Sequence, residues 1–118
     1  MSTSVTGDSL IYKIVSADQW REAEAAGRFE GSEVDRRDGF IHFSTAAQVR
    51  ETALRHFAAR HGLLLVAVET ATVPIRWEPS RGGALFPHLY GQLPLAAVRW
   101  SRPLELGADG LHQFPADI

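Results

Sequence analysis

The sequence has 118 residues, 45% of them hydrophobic and 22% charged, with a formal net charge of −2 and no cysteine. This length suits one domain with a single core, and this composition excludes a disordered or fibrous chain. The charge balance does not suit a protein that holds a nucleic-acid backbone. The absence of cysteine excludes disulfides, thiolate metal sites and a cysteine nucleophile.

The ends of the chain and its apolar segments bear on location. The N-terminal segment "MSTSVTGDSL" is polar and lacks both the basic and the apolar region of a signal peptide. The longest apolar run, residues 63–68, is too short to span a bilayer. We therefore expect a cytoplasmic protein without membrane contact, and we do not expect nucleic acid as a partner. The sequence leaves the oligomeric state open.

The first third of the chain predicts a strand, a helix and a loop. Residues 1–8 are predicted to form a flexible tail, and the run "LIYKIV" predicts a first strand at 10–15. Ser16 and Gln19 have the spacing of a capping box, so a helix should begin after Ser16 and end at Gly27. The polar residues 28–39, with two glycines, predict a surface loop.

The remainder of the chain predicts one long helix and several short strands. A strand at 40–44 should lead into a helix that Ser44 or Thr45 caps and Gly62 ends. Residues 63–69 predict a central strand buried on both faces. Three further extended segments and a loosely attached tail are predicted, in this order: 73–83, 84–91, 94–104 and 107–118.

These elements predict an α+β fold in one compact domain, residues 9–106. We expect about five or six short, mostly antiparallel strands and two helices, because the strands are concentrated in the second half and do not alternate regularly with helices.

The segment "GFIHFST" contains the first candidate site. Strand alternation places Ile41 and Phe43 in the core, and it turns His42 and Ser44 toward the opposite surface or a cleft. Ser44 and Thr45 would then stand at a helix N-terminus, which favours an anion such as phosphate. The alternative is that His42 is a half-buried structural histidine and Ser44 only a cap.

The segment "FPHLYG" contains the second candidate site. In an extended chain Phe86, His88 and Tyr90 share one face, which brings an imidazole and a phenol beside an aromatic wall. Pro87 should keep this strand at a sheet edge or make it irregular. The alternative is a hairpin whose aromatic side chains pack on the core.

The segment "RWEPSRGG" contains the third candidate site. Trp77 offers a stacking surface, and Arg76 and Arg81 are partners for an anion. Glu78 beside a tryptophan predicts a raised pKa and a role as a general acid or base. The alternative is an ordinary strand end with a solvated carboxylate.

Metal and nucleophile sites have weaker support. His42, His88 and Glu78 form a two-histidine, one-carboxylate set, but no HxH or HExxH spacing accompanies it, and we expect no metal. No GxSxG turn indicates a serine hydrolase, and no glycine-rich phosphate loop is present.

Five segments together resemble a known family. In order along the chain they are "IYKIVSADQW", "DGFIHFSTAAQV", "LLLVAVE", "RWEPSRGGALFPHLYG" and "LPLAAV". They resemble the bacterial family called domain of unknown function 952 over about residues 10–104. That family in turn resembles the ADP-ribosyltransferase-like fold, a split, strand-rich α+β core that clasps NAD or an ADP-ribosyl group.

Within that superfamily the RNA 2′-phosphotransferases have a histidine-containing motif that "FIHFS" resembles. The resemblance therefore implies ligand-binding roles for His42 and Ser44. Lys13 stands where the first-strand histidine of those enzymes is expected. A lysine does not reproduce the fixed hydrogen bond of an imidazole, so NAD-dependent transfer does not follow directly.

The residues and the resemblance together predict a nucleotide-like ligand of the NAD or ADP-ribosyl type. Glu78 and His88 are the candidate catalytic residues. The candidate ligand-binding residues are His42, Ser44, Thr45, Trp77, Arg81, His88 and Tyr90. An NAD-related transferase or glycohydrolase-like activity and a non-catalytic module that binds a metabolite or a protein both remain open.

Overall fold

The computed structural model describes residues 9–118, so the predicted tail at 1–8 lies outside the described residues. Its helices are α1 Ala17–Ala26, α2 Glu33–Asp38 and α3 Val49–His56. Its strands are β1 Leu10–Ser16, β2 Arg28–Phe29, β3 Ile41–His42, β4 Leu63–Glu69, β5 Ile75–Ser80, β6 Ala84–Leu89, β7 Leu93–Pro94 and β8 Val98–Leu104.

The strands form two three-stranded sheets and one pair, and the pairings between them are antiparallel. The first sheet has the order β1-β4-β8, the second has the order β3-β6-β5, and β2 pairs with β7. The predicted single-domain antiparallel α+β fold is confirmed. The described residues contain eight strands and three helices, more than predicted, because β2, β3 and β7 have only two residues each and α2 only six.

The central strand β4 separates two hydrophobic cores. Val66 and Val68 face a first core, which includes side chains of α1, β3 and β6, whereas Leu65 and Ala67 face a second core beneath α3. All four are fully buried, at 0% exposure. The prediction of a central strand buried on both faces is therefore confirmed.

Helix α1 has the predicted boundaries because its signals are local. The Ser16 side chain accepts a hydrogen bond from the backbone N–H of Gln19 at 3.1 Å. Gly27 ends the helix with a φ of 83°, a conformation that glycine adopts without steric cost. Trp20 and Ala23 anchor the helix on the first core.

The predicted loop at 28–39 is wrong, because this segment contains β2 and α2. Ser32 and Asp35 form a reciprocal capping box: Ser32 Oγ accepts from the Asp35 N–H, and an Asp35 carboxylate oxygen accepts from the Ser32 N–H. This pair satisfies two free N–H groups of a helix that is too short to show apolar periodicity. Gly39 ends α2 in the left-handed conformation.

The predicted start of the third helix is also wrong. The backbones of Ser44 and Tyr12 exchange two hydrogen bonds, at 2.8 and 2.9 Å, which hold Ser44 in an extended bridge. A turn follows, in which the Thr45 N–H donates to the Gln48 side chain at 3.0 Å, and α3 begins only at Val49. Ser44 and Thr45 therefore do not stand at a helix N-terminus, so the helix dipole does not favour an anion at these two residues.

The third helix also ends earlier than predicted. It stops at His56, and Ala59 then adopts a φ of 62°, so Gly62 lies beyond the helix and not at its cap. The helix has eight residues, of which Val49 and Ala53 are buried in the second core.

Pro87 lies in the middle strand of the second sheet, which corrects its prediction at a sheet edge. A proline removes a ladder donor, so the strand needs an arrangement that uses only its carbonyl. The Phe43 N–H donates to the Pro87 carbonyl at 3.0 Å, just beyond the paired residues of β3. The short β3 thus tolerates the missing donor.

The C-terminal segment contacts the second core. Phe114 and Ile118 pack against it, and the Arg50 guanidinium lies 5.1 Å from the centre of the Phe114 ring. The same arginine donates to the Ile118 carbonyl at 3.2 Å. Within residues 9–118, no helix has the length and apolar character needed to cross a membrane.

Candidate functional site

A cleft of about 720 Å³ lies between β1, α2, β3 and β6, a volume within the usual range for small-molecule sites. Its ionisable and hydroxyl-bearing lining includes Lys13, Asp35, Asp38, His42, Ser44 and His88. The side chains come from four separate elements, so the cleft exists only in the folded chain.

The floor of the cleft contains a buried ion pair. Lys13 leaves β1 on the same face as Ile11 and Val15, which belong to the first core, and it is only 7% exposed. Its ammonium lies 3.0 Å from Oδ1 and 2.9 Å from Oδ2 of Asp35. Asp35 is 2% exposed, so both charges are withdrawn from water and stabilise each other.

Asp35 also binds groups other than the ammonium of Lys13. Its carboxylate accepts from the His42 ring at 2.7 Å, from the His42 N–H at 3.1 Å and from the Ser32 N–H at 2.8 Å. Burial alone would raise the pKa of Asp35, but the hydrogen bonds from His42 and Lys13 and the charge of Lys13 hold it well below its usual range. Burial lowers the pKa of Lys13, and Asp35 offsets only part of that effect.

His42 lies between two carboxylates. Its Nδ1 is 2.7 Å from Oδ1 of Asp35, and its Nε2 is 3.0 Å from Oδ2 of Asp38. An ionised carboxylate only accepts hydrogen bonds, so the ring satisfies both contacts when both nitrogens carry protons. The His42 side chain is 33% exposed, so His42 and Asp38 form the solvent-facing part of the charge cluster, the hydrogen-bonded group of Lys13, Asp35, Asp38 and His42.

A second histidine–carboxylate pair is built by β5 and β6. Nδ1 of His88 lies 2.7 Å from Oε1 of Glu78, and the Tyr90 hydroxyl donates to the two oxygens of Glu78 at 2.9 and 3.2 Å. These hydrogen bonds lower the pKa of Glu78, which corrects the predicted raised pKa. Glu78 is therefore a carboxylate that orients His88, and it does not line the cleft itself.

The two histidines oppose each other across adjacent strands. His42 of β3 pairs with His88 of β6, and their ring centres are 5.5 Å apart. The Phe40 ring packs against both, with its centre 4.6 Å from that of His42 and 4.1 Å from that of His88. Phe40 thus fixes the spacing of the two imidazoles.

Three of the predicted ligand-binding residues line the cleft: His42, Ser44 and His88. Ser44 is 4% exposed, and its hydroxyl is 2.8 Å from that of Thr52, so it is part of the wall and largely withdrawn from solvent. Thr45 does not line the cleft and uses its N–H in the turn before α3.

The other predicted ligand-binding residues lie apart from the cleft or are not described. Trp77 precedes Glu78 on β5, so the two side chains point to opposite faces of the sheet. Trp77 is 36% exposed and does not line the cleft. Tyr90 is 44% exposed and reaches the cleft only indirectly, through Glu78 and His88. The structure does not describe the side chain of Arg81.

The carboxylates of α2 line the cleft, although the sequence predicts no role for them. Asp35 and Asp38 lie in the segment that was predicted to be a loop, and Phe40 was assigned only to a strand. The spacing "SEVD", a Ser followed three residues later by an acid, is a helix-start signal that would have identified Asp35 as a capping residue. In the described part of the chain, no group of three His, Asp or Glu side chains has the arrangement of a metal site.

Comparisons with known proteins place the chain in a family and support its fold. A family model described as "Protein of unknown function (DUF952)" matches residues 14–101. The crystal structure of protein CC0527 from Caulobacter crescentus is 50% identical, with a TM-score of 0.84 over 88% of this chain and 93% of that chain. The solution NMR structure of CC0527 is 49% identical, with a TM-score of 0.79 over 89% and 92% of the two chains. Among curated proteins there is no significant match.

Proposed function

Because this chain belongs to the family described as protein of unknown function (DUF952), we propose its function from the cleft: it binds a nucleotide-like small molecule of the NAD or ADP-ribosyl type. The observation that carries the proposal is the cross-strand pair of His42 and His88, each fixed by a carboxylate at 2.7 Å and both lining one cleft. Two oriented imidazoles in a cleft of this volume suit a polar ligand with several hydrogen-bonding groups.

The charges of the cleft favour one orientation of such a ligand. Asp35 and Asp38 flank His42 and oppose the approach of a phosphate to that imidazole. Ribose hydroxyls and amide groups both donate and accept hydrogen bonds, so they suit an imidazole ring beside a carboxylate. Arg37 and Arg60 also line the cleft and are the partners for a phosphate.

In a catalytic version of this proposal His88 is the acid–base residue. Glu78 holds its Nδ1, which leaves Nε2 for proton transfer to or from a bound ligand. Glu78 contacts His88 and not the cleft, so we assign it as a positioning residue. The direct catalytic role that the sequence predicts for Glu78 has less support than this indirect role.

A non-catalytic binding module is the second candidate. The observation that favours it is the internal pairing of the charged groups: the Lys13 ammonium contacts both Asp35 oxygens, and both nitrogens of His42 contact carboxylates. Side chains whose hydrogen bonds and ion pairs are made within the fold are less available for proton transfer to a ligand. Such a cleft recognises its ligand mainly by shape and by the hydrogen-bonding groups that remain exposed.

Titration of the ¹⁵N-labelled protein with NAD⁺, followed by amide NMR, tests the binding proposal. We expect saturable shifts centred on His42 and His88, and we expect them to weaken in His88→Gln and to persist in His61→Gln, which alters an exposed histidine outside the cleft. The absence of shifts at millimolar NAD⁺, or shifts confined to residues outside the cleft, would contradict the proposal.

Nicotinamide release from NAD⁺ separates the two candidates. If the wild type releases nicotinamide, Glu78→Gln should lower kcat while KM and the NMR-detected binding change little, because the ring of His88 loses its orienting carboxylate and not its ligand contact. Unchanged kcat in this variant would refute the role of Glu78. Saturable binding without nicotinamide release would favour the binding module.

A further inference from the structure

The position of the chain's only lysine is unusual. The 12 Lys and Arg residues of the sequence comprise Lys13 and eleven arginines. Lysine is normally an exposed residue, yet Lys13 is 7% exposed and lines the cleft. All of the remaining Lys or Arg positions are arginine, and the lysine occupies this buried position.

An ion pair alone does not account for the lysine. Arginine is better suited to a buried pair with a carboxylate, because its planar guanidinium matches the two oxygens and is more weakly hydrated than an ammonium. What a primary amine offers and a guanidinium does not is nucleophilic addition to a carbonyl carbon. Lys13 has that chemistry at a position where the cleft excludes most of the solvent.

We propose that Lys13 forms an imine with a small aldehyde, or with the open-chain aldehyde of a reducing sugar, bound in this cleft. The inference uses the same cleft as the proposed function but requires an aldehyde and not NAD⁺. It adds a covalent attachment point that the histidine pair does not supply.

The reaction balances with the groups that are present. Two protons of the Lys13 ammonium pass by way of Asp35 to the carbonyl oxygen, the nitrogen bonds to the carbonyl carbon, and the carbon–oxygen bond breaks to release water. The net change converts an ammonium and an aldehyde into an iminium and water. A positive charge lies beside Asp35 both before and after the reaction, so the buried carboxylate, 2.9 Å from the nitrogen, has a cationic partner in both states.

The environment of Lys13 favours the first step. Burial lowers the pKa of the ammonium, which makes the neutral amine more accessible than at an exposed lysine. His42 lies 2.7 Å from the same Asp35 carboxylate, so its ring belongs to the hydrogen-bonded network around the reacting amine.

Reductive trapping with glycolaldehyde and cyanoborohydride, followed by peptide mass mapping, tests the proposal on the full chain. Because Lys13 is the only lysine, a hydroxyethyl group on its peptide identifies the site, and the α-amine of Met1 is the internal reference. We expect Lys13 in the native protein to react at least about tenfold faster, relative to Met1, than in concentrated urea.

A slower reaction of Lys13 in the native protein than in urea is the result that would contradict the proposal. A lysine that serves only in a buried ion pair is shielded by the fold, so it would react more slowly in the native protein than in urea, and that outcome would overturn the proposal. Lys13→Arg should carry no adduct beyond Met1, but the rate comparison in the wild type does not depend on that variant folding. The NAD⁺ titration neither requires nor excludes imine formation, so the two proposals fail separately.

Discussion

Replacement of Asp35 by asparagine removes one charge and almost no volume from the charge cluster. The Lys13 ammonium would remain buried, and among residues 9–118 Asp35 is the only carboxylate within ion-pair distance of it. The carboxylate also accepts from Ser32 and His42, and an amide oxygen replaces only part of that capacity. The asparagine variant therefore combines a lost hydrogen-bond acceptor with an uncompensated buried charge.

The magnitude follows from the burial of the pair. Removal of one partner of a buried ion pair costs about 3–5 kcal/mol, whereas a domain of this size is stable by about 5–15 kcal/mol. We expect Asp35→Asn to lower the free energy of unfolding by about 3–5 kcal/mol. The reverse change, Lys13→Met, should cost less, about 1–3 kcal/mol, because Asp35 keeps its bonds to His42 and to two backbone N–H groups.

Urea unfolding of the two single variants and the double variant measures the pair directly. In the double variant no unpaired ammonium remains, so its loss of stability should fall below the sum of the two single losses by at least about 1 kcal/mol. Additive losses would show that the two groups are not coupled. A smaller loss for Asp35→Asn than for Lys13→Met would show that the unpaired ammonium is not the costlier of the two buried charges.

Two further predictions concern the same cluster. The pKa of Asp35 is lowered in the folded state, so its stabilising contribution is complete above the unfolded pKa of about 3.9 and is lost as the pH falls below that value. Urea unfolding should therefore show that the difference in free energy of unfolding between wild type and Asp35→Asn becomes smaller from pH 5 toward pH 2. A difference that stays constant over this range would refute the prediction. Gly31 has a φ of 104°, and a Cβ added there would lie 2.9 Å from Cβ of Asp35. Gly27 is the control, because it also has a positive φ, 83°, but a Cβ added there meets open space. Thermal unfolding should therefore show that Gly31→Ala is less stable than Gly27→Ala. Equal losses at the two glycines would mean that the position of Asp35 is not constrained by Gly31.

The parts of the fold that the sequence predicted correctly depend on short-range signals. Helix α1 has a Ser16 cap and a Gly27 end, and both signals act within one turn of the helix. The start of α3 was predicted too early because alanines favour helix, whereas the bridge between Ser44 and Tyr12 holds the chain extended. That bridge joins segments far apart in sequence, so no local propensity reports it.

The candidate site was predictable only in part. The alternation of side chains along the strand correctly predicts that Ile41 and Phe43 are buried and that His42 points to the cleft. The contact between His42 and His88 depends on the register of β3 against β6, which is set by long-range packing. The partner of Lys13 required the position of α2, which the sequence pattern alone did not reveal.

Helix α2 has six residues, too few to be stable as an isolated helix. One of them, Asp35, caps the helix start and also holds Lys13 and His42. Local opening of α2 therefore separates these three side chains in a single event, and the helix and the cleft share one opening equilibrium. Amide hydrogen exchange within Glu33–Asp38 should consequently slow whenever the cleft is occupied, so this short segment is a natural reporter of ligand binding.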